Sequence, residues 1–217
     1  MFMARRSAAD FVPADADDLE ALREAAARCR GCDLYRAATQ TVFGEGDARA
    51  RIMLIGEKPG DSEDREGHPF VGPAGRELAR GLEAAAIDPR HVYVTNVVKH
   101  FKFVQRGKRR IHQKPTAGEV QACLPWLDHE LEVVRPDVMV LLGATAAQAL
   151  LGRAFRITAQ RGERVDVEGR PSAIATWHPS AILRAKEHED RERMRAELAA
   201  DLEVAAQLSG RLHRRAG

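Results

Sequence analysis

In RIMLIGEKPG, residues 51–60, four apolar residues run from Ile52 to Ile55 without a polar interruption, and a glycine follows. A strand exposed on one face alternates apolar and polar residues. A strand covered on both faces reads as a continuous apolar run, and this is such a run. The polar turn begins at Gly56. Gly56 and Gly60 allow a tight bend and Pro59 stiffens it. Glu57, the first charged residue past the strand, is placed to project into whatever lies beyond the strand's carboxyl end. The segment is not a phosphate-cradling loop, because the GxxxxGK[ST] spacing is absent.

Working outward, HVYVTNVV (91–98), DVMVLLG (137–143) and AIATW (173–177) read as three more strands of the same kind. Between them lie helical patterns. DDLEALREAAARC (17–29) has Asp17 or Asp18 as N-cap, and PAGRELARGLEAAAI (73–87) starts on Pro73. TAGEVQACLPWLDHELEVV (116–134) carries a capping pair in Thr116 and Glu119. ATAAQALLG (144–152) and residues 180–208 complete the set, and the stretch from Arg156 to Ser180 enters the last strand through a β-hairpin or an irregular excursion. Strands alternating with helices predict an α/β fold: three αβα layers around a central, mainly parallel four-stranded sheet. One such domain is expected over residues 17–210, between a flexible tail at 1–16 and a basic tail at 211–217. In such sheets ligands bind beyond the carboxyl ends of the strands. Three of those ends carry polar clusters: GEKPGDSEDREGHPFVG, TNVVKH and TWHPS.

The 217 residues are 44% apolar with a formal charge of only +2, so affinity for nucleic acid has to come from local patches. The most apolar stretch, VMVLLGATAAQALLG, is broken by Gly143, Thr145 and Gln148 and reads as a strand entering a helix, not a membrane span. With no signal-like run near the N-terminus, the expected setting is cytoplasmic, nucleoid-associated and bacterial. Three cysteines are an odd number, which favours thiols or metal ligands over disulfides. Cys29 and Cys32 form a two-ligand bite, Cys123 lies on a later helix, and His100, just past the second strand, is the best fourth donor. A redox CxxC with a buried helix cysteine is the competing reading.

KHFKFVQRGKRRIHQKP, residues 99–115, holds seven Lys or Arg side chains and no acid. It is either a phosphate-facing loop or a reactive one, and from the residues alone His112 reads as a charged loop residue near phosphate.

The motifs GE-x-PG (56–60), PFVGPAG (69–75), VYVTNVVK (92–99), LLGATAAQALLG (141–152) and HPS (178–180) occur in this order. Together they resemble the family 4 uracil-DNA glycosylases, iron–sulfur enzymes of the uracil-DNA glycosylase superfamily. His100 stands where ordinary members have a cysteine, and KRRIH (108–112) lies in a loop that they lack; both details are similar to the UdgX branch. That branch has a Gln where this chain has Lys58. The resemblance implies a [4Fe–4S] cluster on Cys29, Cys32, His100 and Cys123, and uracil-containing DNA, single- or double-stranded, as the substrate of a monomer. It implies that Phe70 stacks on the flipped base, Asn96 reads its imide edge, Gly56 and Asp61 adjoin it, and His178 donates to O2. His112 would bond to C1′ of the sugar with Glu57 orienting it or taking its proton, Lys58 would tune both, and Lys108, Arg109, Arg110 and Arg184 would contact phosphates. An ordinary hydrolytic glycosylase and a non-catalytic iron–sulfur DNA-binding protein are the alternatives.

Overall fold

A computed structural model describes residues 6–15 and 17–210. The strands among them are β1 (Glu45–Gly46), β2 (Ile52–Gly56), β3 (Val92–Asn96), β4 (Phe103–Arg106), β5 (Arg109–His112), β6 (Val138–Leu142), β7 (Arg164–Val165) and β8 (Ser172–Thr176). The helices are α1 (Leu19–Ala26), α2 (Asp61–Glu66), α3 (Pro73–Ala84), α4 (Ala117–Val134), α5 (Ala144–Leu151), α6 (Ile157–Gln160), α7 (Pro179–Arg184) and α8 (His188–Leu208).

The sheet order is β1-β3-β2-β6-β8-β7. The four inner strands pair in parallel, as expected, and every residue of β2 and β6 is buried. Alternate side chains point to opposite faces of a strand. Met53, Ile55, Met139 and Leu141 therefore pack with α1, α4 and α5, while Ile52, Leu54, Val138 and Val140 pack with α3, α7 and α8. These two cores are the physical content of the three layers. Asp18 caps α1 through Ala21 N at 2.8 Å, and Thr116 with Glu119 forms the capping box of α4.

The sheet has six strands, not four. β1 and β7 each add two antiparallel residues at an edge, too short to leave a periodic signature, and such short edges limit further pairing. The basic stretch is not an open loop but the β4–β5 hairpin, turned at Gly107 with φ +57°, a conformation that glycine adopts freely. Residues 180–208 are two helices, separated where Ala185 is extended. The expected tail over 1–16 is corrected in its described part. Ala8–Asp10 form a 3-10 turn capped by Ser7, with Ala8 buried against the core that includes α4. The close approach of Gly31 fixes that docking, because a Cβ there would lie 2.5 Å from Ala8 N. The basic tail at 211–217 lies outside the described residues.

Candidate active site

A cleft of about 500 Å3 opens beyond the carboxyl ends of the four parallel strands. Each strand end delivers one polar group to it: Glu57 after β2, Asn96 at the end of β3, Thr145 just past β6 and His178 after β8. Phe70 enters from the α2–α3 connection and His112 from the end of β5.

Asn96 is 3% exposed, and its Oδ1 is buried without a hydrogen-bond partner. A buried acceptor left unmet is costly, so this oxygen is suited to a ligand's N–H. Gly56 makes room for it. A Cβ at Gly56 would lie 2.3 Å from Asn96 Oδ1 and 2.8 Å from Phe70 Cζ, so its contribution is the space both side chains occupy. Phe70 has φ +56°, an uncommon conformation for an aromatic residue. Its ring stacks beside His178 at 6.1 Å and 27°.

His178 Nδ1 accepts from Ser180 N at 3.1 Å and lies 2.7 Å from the Ser180 hydroxyl. Burial, with Arg184, His112 and Lys58 nearby, pushes its pKa down to about 4. The ring is thus neutral at neutral pH. With Nδ1 occupied as an acceptor, the proton sits on Nε2, which becomes a donor. Arg184 Nη1 donates to Ser180 Oγ at 2.9 Å, so the guanidinium also helps to orient the hydroxyl that faces His178.

Glu57 Oε2 accepts from the Thr145 hydroxyl, and Oε1 lies 3.4 Å from His112 Nε2. Burial and the positive charge of Lys58 hold the His112 pKa below its ordinary value, against the pull of Glu57. The imidazole stands edge-on to Phe101, with centroids 6.2 Å apart. Lys58 is 5% exposed, with Nζ 4.6 Å above the Phe101 ring and donating to Pro59 O at 3.3 Å. Its burial outweighs the attraction of Glu57 and Glu63 and brings its pKa down to about 8.

Two expectations are corrected. Arg110 is not a free phosphate contact: its side chain is 11% exposed and it pairs with Asp61 and Asp64. It also lies over Phe101 and Phe103 at 5.3 and 5.1 Å. Asp61 does not line the cleft; Arg110 and Arg65 hold it. Arg110 and His112, two residues apart on β5, share a strand face, so fixing one fixes the other. Lys108 and Arg109 remain exposed at and beside the hairpin turn. Reading the sequence missed Thr145, Ser180 and the Asp64 anchor. Ser180 lay in plain view in HPS, and Thr145 opens the helix after a strand end, while nothing local marks Asp64.

Cys29, Cys32 and Cys123 are free thiols, and Cys29 and Cys123 are buried. Gly31 N donates to Cys29 Sγ at 3.4 Å and Lys99 N to Cys123 Sγ at 3.3 Å. His100 is 4% exposed, its Nε2 lies 3.0 Å from Thr41 Oγ1, and its Nδ1 is buried without a partner. Burial pushes the Cys123 thiol up to about 12 and the His100 imidazole down to about 4. Three thiols and an orphaned imidazole nitrogen fit a metal group by donor chemistry. Among the described residues, however, no three His, Cys, Asp or Glu side chains meet as a ready-made metal site.

Residues 43–203 match the family described as the uracil DNA glycosylase superfamily. The chain belongs to the uracil-DNA glycosylase superfamily. A type-4 uracil-DNA glycosylase of Thermotoga maritima is 38% identical over 172 residues, covering 79% of this chain and 86% of that protein. A type-4 enzyme of Archaeoglobus fulgidus is 34% identical over 190 residues, 84% of this chain and 89% of its own. A type-5 uracil-DNA glycosylase of Pyrobaculum aerophilum is 34% identical over 154 residues, 63% of this chain and 64% of its own. In this uracil-DNA glycosylase superfamily member, the cleft holds the unmet Asn96 acceptor, the Phe70 ring and the His178 imidazole together.

Proposed function

We propose that this uracil-DNA glycosylase excises uracil from DNA and stays attached through a bond between His112 and C1′ of the sugar. A uracil stacked in a duplex is out of reach, so the base has to be flipped or taken from a single strand. Phe70 then covers its face, and Asn96 Oδ1 accepts from N3–H, a donor that cytosine lacks. As the C1′–N1 bond breaks, its electron pair passes to the departing base. His178 Nε2–H stabilises the charge that develops on O2. The sugar becomes cation-like, as in other glycosidic cleavages. Glu57 takes the proton from Nε2 of neutral His112, and the electron pair of that N–H bond becomes the lone pair through which Nε2 bonds to C1′. Thr145, donating to the other oxygen of Glu57, holds that carboxylate in place. Exposed Lys108 and Arg109 serve the DNA phosphates.

Cys29, Cys32, His100 Nδ1 and Cys123 would hold a [4Fe–4S] cluster, which supplies a cross-link between the CxxC segment, the exit of β3 and α4. No step of base excision passes through it.

The observation that carries the reading is the 3.4 Å approach of His112 Nε2 to Glu57 Oε1 beside the unmet Asn96 oxygen. The test measures free uracil and SDS-resistant protein–DNA adduct in one reaction. The native chain is expected to give both, and His112→Ser uracil without adduct. A second reading is hydrolytic: Glu57, anchored by Thr145, directs water to C1′, and the native chain then releases uracil and free abasic DNA. If His112→Ser still forms the adduct, another side chain is the nucleophile.

A further inference from the structure

Lys58 is buried, whereas the other cations of the cleft wall, Lys114 and Arg184, are exposed. It follows Glu57 directly and lines the same wall, yet among the described residues no carboxylate stands within salt-bridge distance of its Nζ. Its partners are a single carbonyl, Pro59 O at 3.3 Å, and the face of Phe101. It is 5% exposed, so water does not compensate for the missing salt-bridge partner. An amine drawn out of water without a partner is the usual way in which a lysine becomes a nucleophile. Once the base has left and water has reached C1′, the ring-opened sugar presents an aldehyde at C1′, the electrophile that such an amine takes.

We propose that Lys58 is a second nucleophile of this cleft, one that condenses with the C1′ aldehyde of an abasic site to form an imine. The Nζ lone pair attacks the carbonyl carbon, and the carbonyl oxygen leaves as water together with both amine protons. This capture is reversible, in contrast to a His112 bond formed during excision. It acts on abasic sites that the protein did not itself create. The placement of C1′ rests on the proposed function, whereas the chemistry does not require His112. The neutral amine is the reactive form, and the pKa of about 8 makes capture rise with pH through that value. Exposed Lys114 at the cleft rim is the competing amine.

The experiment uses the full native chain and DNA carrying a pre-formed abasic site, with and without borohydride, which reduces an imine to a stable secondary amine. The expected result is a covalent band that depends on borohydride and maps by peptide mass to Lys58. It should fall by about tenfold or more in Lys58→Arg, which keeps the cation but is no nucleophile, and in Lys58→Gln. No borohydride-dependent band at saturating abasic DNA overturns the proposal. So does a band that maps to Lys114 in the native chain. Because the substrate contains no uracil, these outcomes are independent of uracil release and of the His112 adduct, measured separately on uracil-containing DNA. Failure here is thus distinguishable from failure of the excision reading.

Discussion

At the scale of single residues, the proposed site separates groups assigned to the base from groups that set their charge. His178 is neutral because it is buried and surrounded by Arg184, His112 and Lys58. Its Nδ1 is committed to Ser180. Removing it in His178→Ala should lower uracil release by about a hundredfold or more while DNA binding persists, the usual loss for a leaving-group donor. A single-turnover measurement of excision checks this. Lys58 acts on His112 through charge: the cation lowers the His112 pKa. Replacing it in Lys58→Gln removes that repulsion, so the His112 pKa rises. The neutral fraction of His112 then falls at any given pH below neutrality, and the acidic limb of adduct formation moves to higher pH. The preference for uracil over cytosine should stay, because Asn96 is the proposed base reader. The pH profile of the adduct rate, taken beside a cytosine control, decides both points; a lost preference would place Lys58 in base reading.

At the scale of elements, the β4–β5 hairpin has one face for the protein and one for solvent. Phe103 pairs with His112 and Gln105 with Arg110, so these four share one face, on which Phe103 and Arg110 meet the body. Arg110 locks that face onto α2 through Asp61 and Asp64, of which Asp64 is fully buried. Removing Arg110 leaves the buried Asp64 carboxylate with only the hydrogen bonds from Thr39 and no counter-charge, a loss of up to about 3–5 kcal/mol. Arg110→Ala should therefore lower stability to chemical denaturation and reduce the adduct more than it reduces uracil release. Lys108 and Arg109 lie on the exposed part of the hairpin. Their joint replacement by Ala should weaken DNA binding about equally for all sequences and flatten the log–log salt slope by about two, since fewer counterions are released. A salt titration of binding reads this directly. The hairpin was hidden in the sequence because its basic residues do not alternate with apolar ones in a strand-like way. Register across Gly107, not composition, decides which of them turn inward.

At the scale of the whole molecule, a buried polar network joins β3 to α4. Lys99 pairs with Glu130 with both side chains fully buried, and Glu130 also accepts from Gly44 N, Tyr93 and Thr95. Lys99 Nζ donates in addition to Asn96 O at 2.8 Å, and its main chain donates to Cys123 Sγ. One residue thus touches both the strand end that carries Asn96 and a thiol of the proposed cluster. For that cluster, anaerobically purified protein should be brown and contain about four irons per chain. Metal analysis showing stoichiometric zinc and no iron would refute it.

The strands, their order of appearance, the α/β class and the strand-end location of Glu57, Asn96 and His178 were legible along the chain. Hydrophobic periodicity and turn chemistry are local properties, and a parallel sheet places its ligand cleft at one known end. The two-residue edge strands, the break before α8 and the docked Ala8–Asp10 turn were not, because tertiary contacts rather than local pattern hold them. The same division applies to the site. Residue types and motifs named its members. Only the fold brought Glu57 to Thr145 across 88 positions and to His112 across 55. Only the fold turned Arg110 onto Asp61 and Asp64 and left buried Lys58 without a salt-bridge partner, because burial and pairing depend on which distant side chains share a face, and a linear pattern does not carry that information.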